Sequence, residues 1–168
     1  VIASNSHDDV TELAQKLSAP VTMTLMGLGG FPGTDPLSLG MLGMHGTYFA
    51  NMAVAQCDVL VAVGSRFDDR VTGRIDAFAP HAKIIHMDID PSSISKNVKV
   101  DVDLIGDVKY ILKDLLPLVK KCDTKAWLKD IDEWKEQHPL RYNGLDNSDL
   151  IMPQYLIESV NRLADKDA

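Results

Sequence analysis

The chain has 168 residues, 45% hydrophobic and 24% charged, a length and balance that suit one compact globular domain with a real core. Its formal charge of -7 and pI near 5.1 exclude a nucleic-acid partner, because phosphate binding needs clustered Lys and Arg in net excess. No apolar run approaches the ~20 residues that span a bilayer, and Val1 to Ser6 show no basic stretch leading into an apolar one, so no membrane partner and a cytoplasmic location are expected.

Taken in chain order, the first element is a helix. Ser6 stands at its cap, Asp8 and Asp9 suit the positive end of its dipole, and Val10, Leu13, Ala14 and Leu17 make one apolar stripe. After Pro20, Val21 to Leu25 reads as a strand, followed by a Gly- and Pro-rich stretch from Gly27 to Gly46 that is long enough to be a functional loop. Thr47 caps a second helix reaching about Gln56. Asp58 to Gly64 is a continuous apolar run of the kind buried on both faces of a parallel sheet, and Lys83 to Ile89 and Val100 to Ile105 repeat it. Asp107 opens a helix through Val108, Ile111, Leu112 and Leu115. Beyond Pro117 come a short amphipathic helix on Trp127, Leu128, Ile131 and Trp134, a linker from Pro139 to Asp149, and a last helix with Pro153 in its first turn. Strands alternating with helices predict an α/β fold, a parallel sheet wound on both faces.

In such a sheet, ligands bind beyond the carboxyl ends of the strands. The loops gathered there carry Gly64, Ser65, Arg66, Phe67, Asp68, Asp69 and Arg70, then Asp88 and Asp90, then Gly106 and Asp107. Glycine lets a backbone approach a phosphate, arginine offers a planar fork to a pyrophosphate, and a strand-end carboxylate accepts from ribose hydroxyls, so the set suits a dinucleotide. Each residue also has a plainer use: Asp107 as a helix cap, Asp88 and Asp90 as starters of the turn at Pro91, Arg66 and Arg70 as surface partners of Asp68 and Asp69. Cys57 and Cys122 are far apart, and the five histidines have no metal-ligand spacing, so no metal site is expected. His45 has no visible nucleophile or carboxylate partner and reads as a packing or cofactor contact; no catalytic residue is assigned.

The runs Leu42-Gly43-Met44-His45-Gly46-Thr47 and Gly64-Ser65-Arg66-Phe67-Asp68-Asp69-Arg70-Val71-Thr72-Gly73 resemble the acetolactate synthase (acetohydroxyacid synthase) large subunit. The likeness extends from Pro20–Gly27 through Ile85–Pro91 to Gly106–Val108. It implies the Rossmann-like central domain of a thiamine diphosphate enzyme, with FAD lying across Thr24, Leu25, Leu42, Gly43, Met44, His45, Gly64, Ser65, Arg66, Phe67, Asp68, Asp88, Ile89, Asp107 and Val108. Met44, Asp69 and Arg70 match positions lining the family's substrate channel.

The resemblance further implies that residues 1–121 form the FAD-binding domain, 122–150 a helix and linker, and 151–168 the start of the C-terminal thiamine diphosphate-binding domain. The first strand of the sheet is expected to be missing from this segment. Such a parent uses thiamine diphosphate and Mg2+ to decarboxylate pyruvate and condense the two-carbon unit with pyruvate or 2-oxobutanoate, in branched-chain amino-acid biosynthesis. The groups that bind thiamine and Mg2+ lie in the two other domains, so this segment alone is expected to be inactive. The implied partners are FAD, those two domains, a second copy of the parent and a regulatory small subunit. A stand-alone dinucleotide-binding module and the middle domain of another thiamine diphosphate enzyme, such as a glyoxylate carboligase or an oxalyl-CoA decarboxylase relative, are the alternatives.

Overall fold

A computed structural model describes residues 1–142 and 150–165. The chain falls into two compact units, Val1–His138 and Pro139–Ala168. The first opens with α1 (His7–Leu17) and β1 (Val21–Met23), followed by β2 (Ser38–Met41), α2 (Tyr48–Gln56), β3 (Val59–Val63) and the short α3 (Asp69–Thr72). Next come β4 (Lys83–Asp88), β5 (Val102–Ile105), α4 (Val108–Leu115) and α5 (Lys125–Gln137). All strand pairs are parallel, in two sheets ordered β1-β2 and β3-β4-β5. Parallel strands alternating with helices are the α/β architecture expected; helices cover both faces of β1-β2, while β3-β4-β5 has α1 and α4 on one face and Phe67, Phe78 and Val98 of the connecting segments on the other.

Alternation of side chains along the strands assigns each face a cover. On β4, Met87 joins Leu13 of α1 and Val108, Leu112 and Leu116 of the α4 region in one core cluster, with Val61 and Val63 of β3 against it. The other face of β4 presents Ile84 beside Ala62, Phe67 and Val98. In the β1-β2 sheet, Met23 packs with Ala14 of α1 and Phe31, while Leu39 turns to Ala50 and Ala53 of α2 and Ile131 of α5. Helix α1 therefore serves both sheets: Val10 touches the cluster over β1 and the cluster over β3 and β4.

Four local expectations need correction. Ser6 sits at the N-cap of α1, yet its side chain caps nothing; the hydroxyl is buried and bonds to Val1 O and Ser4 Oγ instead. The strand from Val21 stops at Met23, because Thr24 starts a 3-10 turn closed by Gly27 N–H donating to Thr24 O at 2.9 Å. The stretch from Gly27 to Gly46 is not loop throughout, since it contains β2. That strand hides from pattern reading: the register sets Val21 against Ser38 and Met23 against Met41, so one strand holds an extra residue, and Gly40 takes φ +71. Finally, the strand read as Val100 to Ile105 begins only at Val102.

Helix α5 is held in the first unit by Ile131, 1% exposed, with Trp127 and Trp134 packed edge to face beside it at 5.5 Å. In the second unit, α6 (Pro153–Leu163) has Pro153 in its first turn, as expected, and Tyr142 Oη donates to Glu158 Oε2 at 3.0 Å. Most of the linker from Pro139 to Asp149 lies outside the described residues.

Candidate functional site

Because β3, β4 and β5 run parallel, the segments that follow Val63, Asp88 and Ile105 leave the sheet at the same edge. Main-chain bonds lace them together there: Gly64 N–H donates to Met87 O at 2.8 Å, and Gly106 N–H donates to Asp88 O at 2.9 Å. Gly64 at φ +66 turns the chain out of β3, a conformation glycine adopts without a Cβ penalty. Phe67 is also left-handed, at φ +52, which is strained for a bulky residue. Two features hold it. Its ring is buried, 5.1 Å from the ring of His86 and 5.8 Å from that of Phe78, and Asn97 Nδ2 donates to both Arg66 O and Phe67 O. With Phe67 pinned inward, the flanking Arg66 projects into solvent, 3.9 Å from Asp68.

The acidic residues of the crevice are partly committed to structure. Asp68 caps α3 by accepting from Val71 N–H, and Asp107 caps α4 by accepting from Lys109 N–H at 2.9 Å. Asp88 is buried, with Oδ1 accepting from Asp90 N–H. The Asp90 carboxyl lies below its ordinary value, chiefly through the hydroxyl and backbone N–H of Ser92, with Ser93 adding to them. His86, fully buried, has neither ring nitrogen hydrogen-bonded; Nε2 stands 3.6 Å from Asp88 Oδ2. Val108 contributes its side chain to the core beneath the crevice, whereas Ile89 is exposed at the rim.

A second group of expected residues meets the first through α3. Met44 N–H donates to Arg70 O at 2.9 Å, so the turn after β2 and the start of α3 form one joint. Gly43 lies so close that a Cβ there would stand 2.2 Å from Arg70 O. Leu42 N–H reaches back to Met23 O at 3.4 Å, which ties Thr24 and Leu25 to the same end of the β1-β2 sheet. Met44, His45, Asp69 and Arg70 have exposed side chains. A cavity of about 430 Å³ opens here, lined by Leu42, Met44, Asn51, Asp69, Val71 and Phe78 among others. The structure thus brings Leu42–Met44 to Asp69–Arg70, and Gly64–Asp68 to Asp88 and Asp107. His45 has no hydrogen-bond or ion-pair partner among the described residues. Sequence reasoning missed the two amides that brace the site, Asn51 and Asn97, since neither belongs to a motif and only the fold brings them to their partners. Cys57 is a deactivated thiol, pushed up to about 11 mainly by burial and then by Asp58. No cluster of metal-binding side chains occurs among the described residues.

The family model described as "Thiamine pyrophosphate enzyme, central domain" matches residues 1–115. The chain belongs to this family. As a thiamine pyrophosphate enzyme central domain, it is similar to the acetolactate synthase large subunit of Cyanidium caldarium, with 46% identity over 98% of this chain and 29% of that protein. It is also 46% identical to the acetolactate synthase large subunit of Buchnera aphidicola subsp. Schizaphis graminum, over 97% of this chain and 29% of the relative. To acetolactate synthase 1, chloroplastic, of Oryza sativa subsp. japonica, the identity is 47% over 98% of this chain and 26% of the relative. The likeness read from the two motif runs is thus met by relatives of that name across nearly the whole chain, which spans less than a third of their length.

Proposed function

We propose that this chain is the FAD-binding middle domain of an acetolactate synthase large subunit, the flavin lying across the carboxyl ends of the strands. The observation that carries the reading is the lacing of the Gly64–Asp68, Asp88–Ile89 and Gly106–Val108 segments at one sheet edge. Donor chemistry there fits a dinucleotide: the N–H groups of Ser65, Arg66 and Phe67 find no acceptor among the described residues, and the Arg66 guanidinium is largely free. The pyrophosphate would be held by those groups, and the carboxylates of Asp88 and Asp107 face the ribose end. Exposed Leu25, Met26, Met44 and Ile89 supply the apolar surface that a flat ring system covers. Thr24, Leu42, Gly43, His45, Gly64 and Val108 complete the set.

In this reading the flavin contributes no net redox chemistry. The chain's own residues bind and orient it, and Met44, Asp69 and Arg70 border the route by which 2-oxo acids approach. Catalysis belongs to the parent: thiamine diphosphate and Mg2+, held by the other two domains, support decarboxylation of pyruvate and condensation with pyruvate or 2-oxobutanoate in branched-chain amino-acid synthesis. A second copy, a regulatory small subunit, inactivity of this segment alone and a cytoplasmic location belong to the same proposal. None of the described helices is long and apolar enough to cross a membrane.

Titration of this chain with FAD, followed by flavin fluorescence, is the test. Saturable binding that weakens roughly tenfold in Arg66→Ala and is not displaced by NAD is expected, as for loss of one charge-assisted pyrophosphate contact. Equal competition by NAD, or failure of FAD to bind even with the rest of a large subunit present, would reject the reading.

A further inference from the structure

We infer that Asn51 is a positioning residue that fixes the spacing of Met44 from Arg70 at the mouth of the cavity, a role that rests on the channel reading proposed above. Asn51 lies on α2, and its amide takes up both polar groups of one residue: Oδ1 accepts from Gly43 N–H at 2.8 Å, and Nδ2 donates to Gly43 O at 3.0 Å. On its opposite side Gly43 is pressed against α3, where a Cβ would meet Arg70 O at 2.2 Å and Val71 Cα at 2.9 Å. Gly43 is therefore gripped between an amide and a backbone. The next peptide completes the joint through Met44 N–H and Arg70 O at 2.9 Å.

The mount for this grip is rigid. Asn51 follows Ala50, which is 0% exposed, and α2 is further seated by Ala53 and Val54. By contrast, the Met44 side chain is 67% exposed, and those of Asp69 and Arg70 are exposed too, so their placement depends on the main chain beneath them. Mid-helix asparagine is unfavourable by propensity, and here its side chain is spent on a tertiary clamp rather than on its own helix. Because the clamp is solvent-accessible, its loss loosens the joint without unfolding the domain.

The test assays a full-length acetolactate synthase large subunit with this segment in place. Asn51→Ala is expected to raise KM for the 2-oxo acid roughly tenfold while kcat changes by less than about twofold and the melting temperature stays close to that of the parent. Asn51→Asp keeps an acceptor for Gly43 N–H and loses the donor, so it should fall in between, and it decides the question if the alanine variant folds poorly. In a Met44→Ala background the effect of Asn51→Ala should shrink, as for two residues acting through one joint. A fall in kcat at unchanged KM, or fully additive losses, would overturn the inference. If Met44→Ala and Arg70→Ala raise KM and the Asn51 variants do not, this inference alone fails; if those two leave KM unchanged, the channel reading fails and takes it along.

Discussion

The two sheets reach the same parallel geometry by different means. In β3-β4-β5 the central strand β4 is largely buried while β3 and β5 are buried only in part, with Val59, Val102 and Ile105 exposed, and the register is regular along each pair. In β1-β2 the strands are short, one carries an extra residue at Gly40, and order comes from helices pressed on both faces. One sheet recruits its cover; the other is made by it. The largest effect that tests this contrast is Ile131→Ala. Emptying that buried site on α5 should cost about 3 kcal/mol of stability by denaturant titration. Amide exchange should quicken in β1-β2 more than in β4. The mirror-image substitution, Leu112→Ala beneath β4, should reverse that pattern, and uniform acceleration in both variants would erase the distinction.

A smaller effect is expected at the seam. Gly43→Ala combines φ +89 with a Cβ driven into Arg70 O, so the joint must open or the turn must strain, at about 1–3 kcal/mol. Its signature is local: faster exchange of the Met44 amide, with β4 unaffected. If the Met44 amide stays protected, the turn after β2 is held by something other than its contact with α3.

The same contrast explains what the sequence revealed. The apolar runs of β3 and β4, the caps at Thr47 and Asp107, and the glycine exits at Gly64 and Gly106 are local signals, each with a physical cause inside a few residues, and could be read directly, although β3 is buried only at Ala62 and not along its whole run. Strand β2 could not, because Ser38-Leu39-Gly40-Met41 has neither β-branched residues nor clean alternation, and its identity depends on α2 and α5. The candidate site divides likewise. Its motif residues stand out by type and spacing, whereas Asn51 acts on the turn just before its own helix and Asn97 on carbonyls about 30 residues away, and neither has a local pattern to betray it. Burial of Phe67 in a left-handed conformation was equally invisible, for it depends on His86, Phe78 and Asn97 converging from other segments.

The regular sheet also carries a charge that the irregular one lacks at its ladder, and this gives the smallest and most specific effect. Asp101 precedes β5, and its carboxylate accepts Ile84 N–H at 2.9 Å while pairing with Lys83 at 3.1 Å, so a side chain extends the ladder where β4 begins. Those contacts hold its carboxyl below the ordinary value, the Ile84 N–H foremost and Lys83 next. A depressed folded pKa means stability that is complete above the unfolded value near 3.8 and is lost as pH falls through the lower folded one. Asp101→Asn retains an acceptor for Ile84 N–H and cannot titrate. Denaturant midpoints for the variant should therefore fall less steeply than those of the parent as pH is lowered below about 4, with exchange at Ile84 reporting the same change. An acid limb identical in the two proteins would mean that the pair at the head of β4 contributes nothing to holding the regular sheet together.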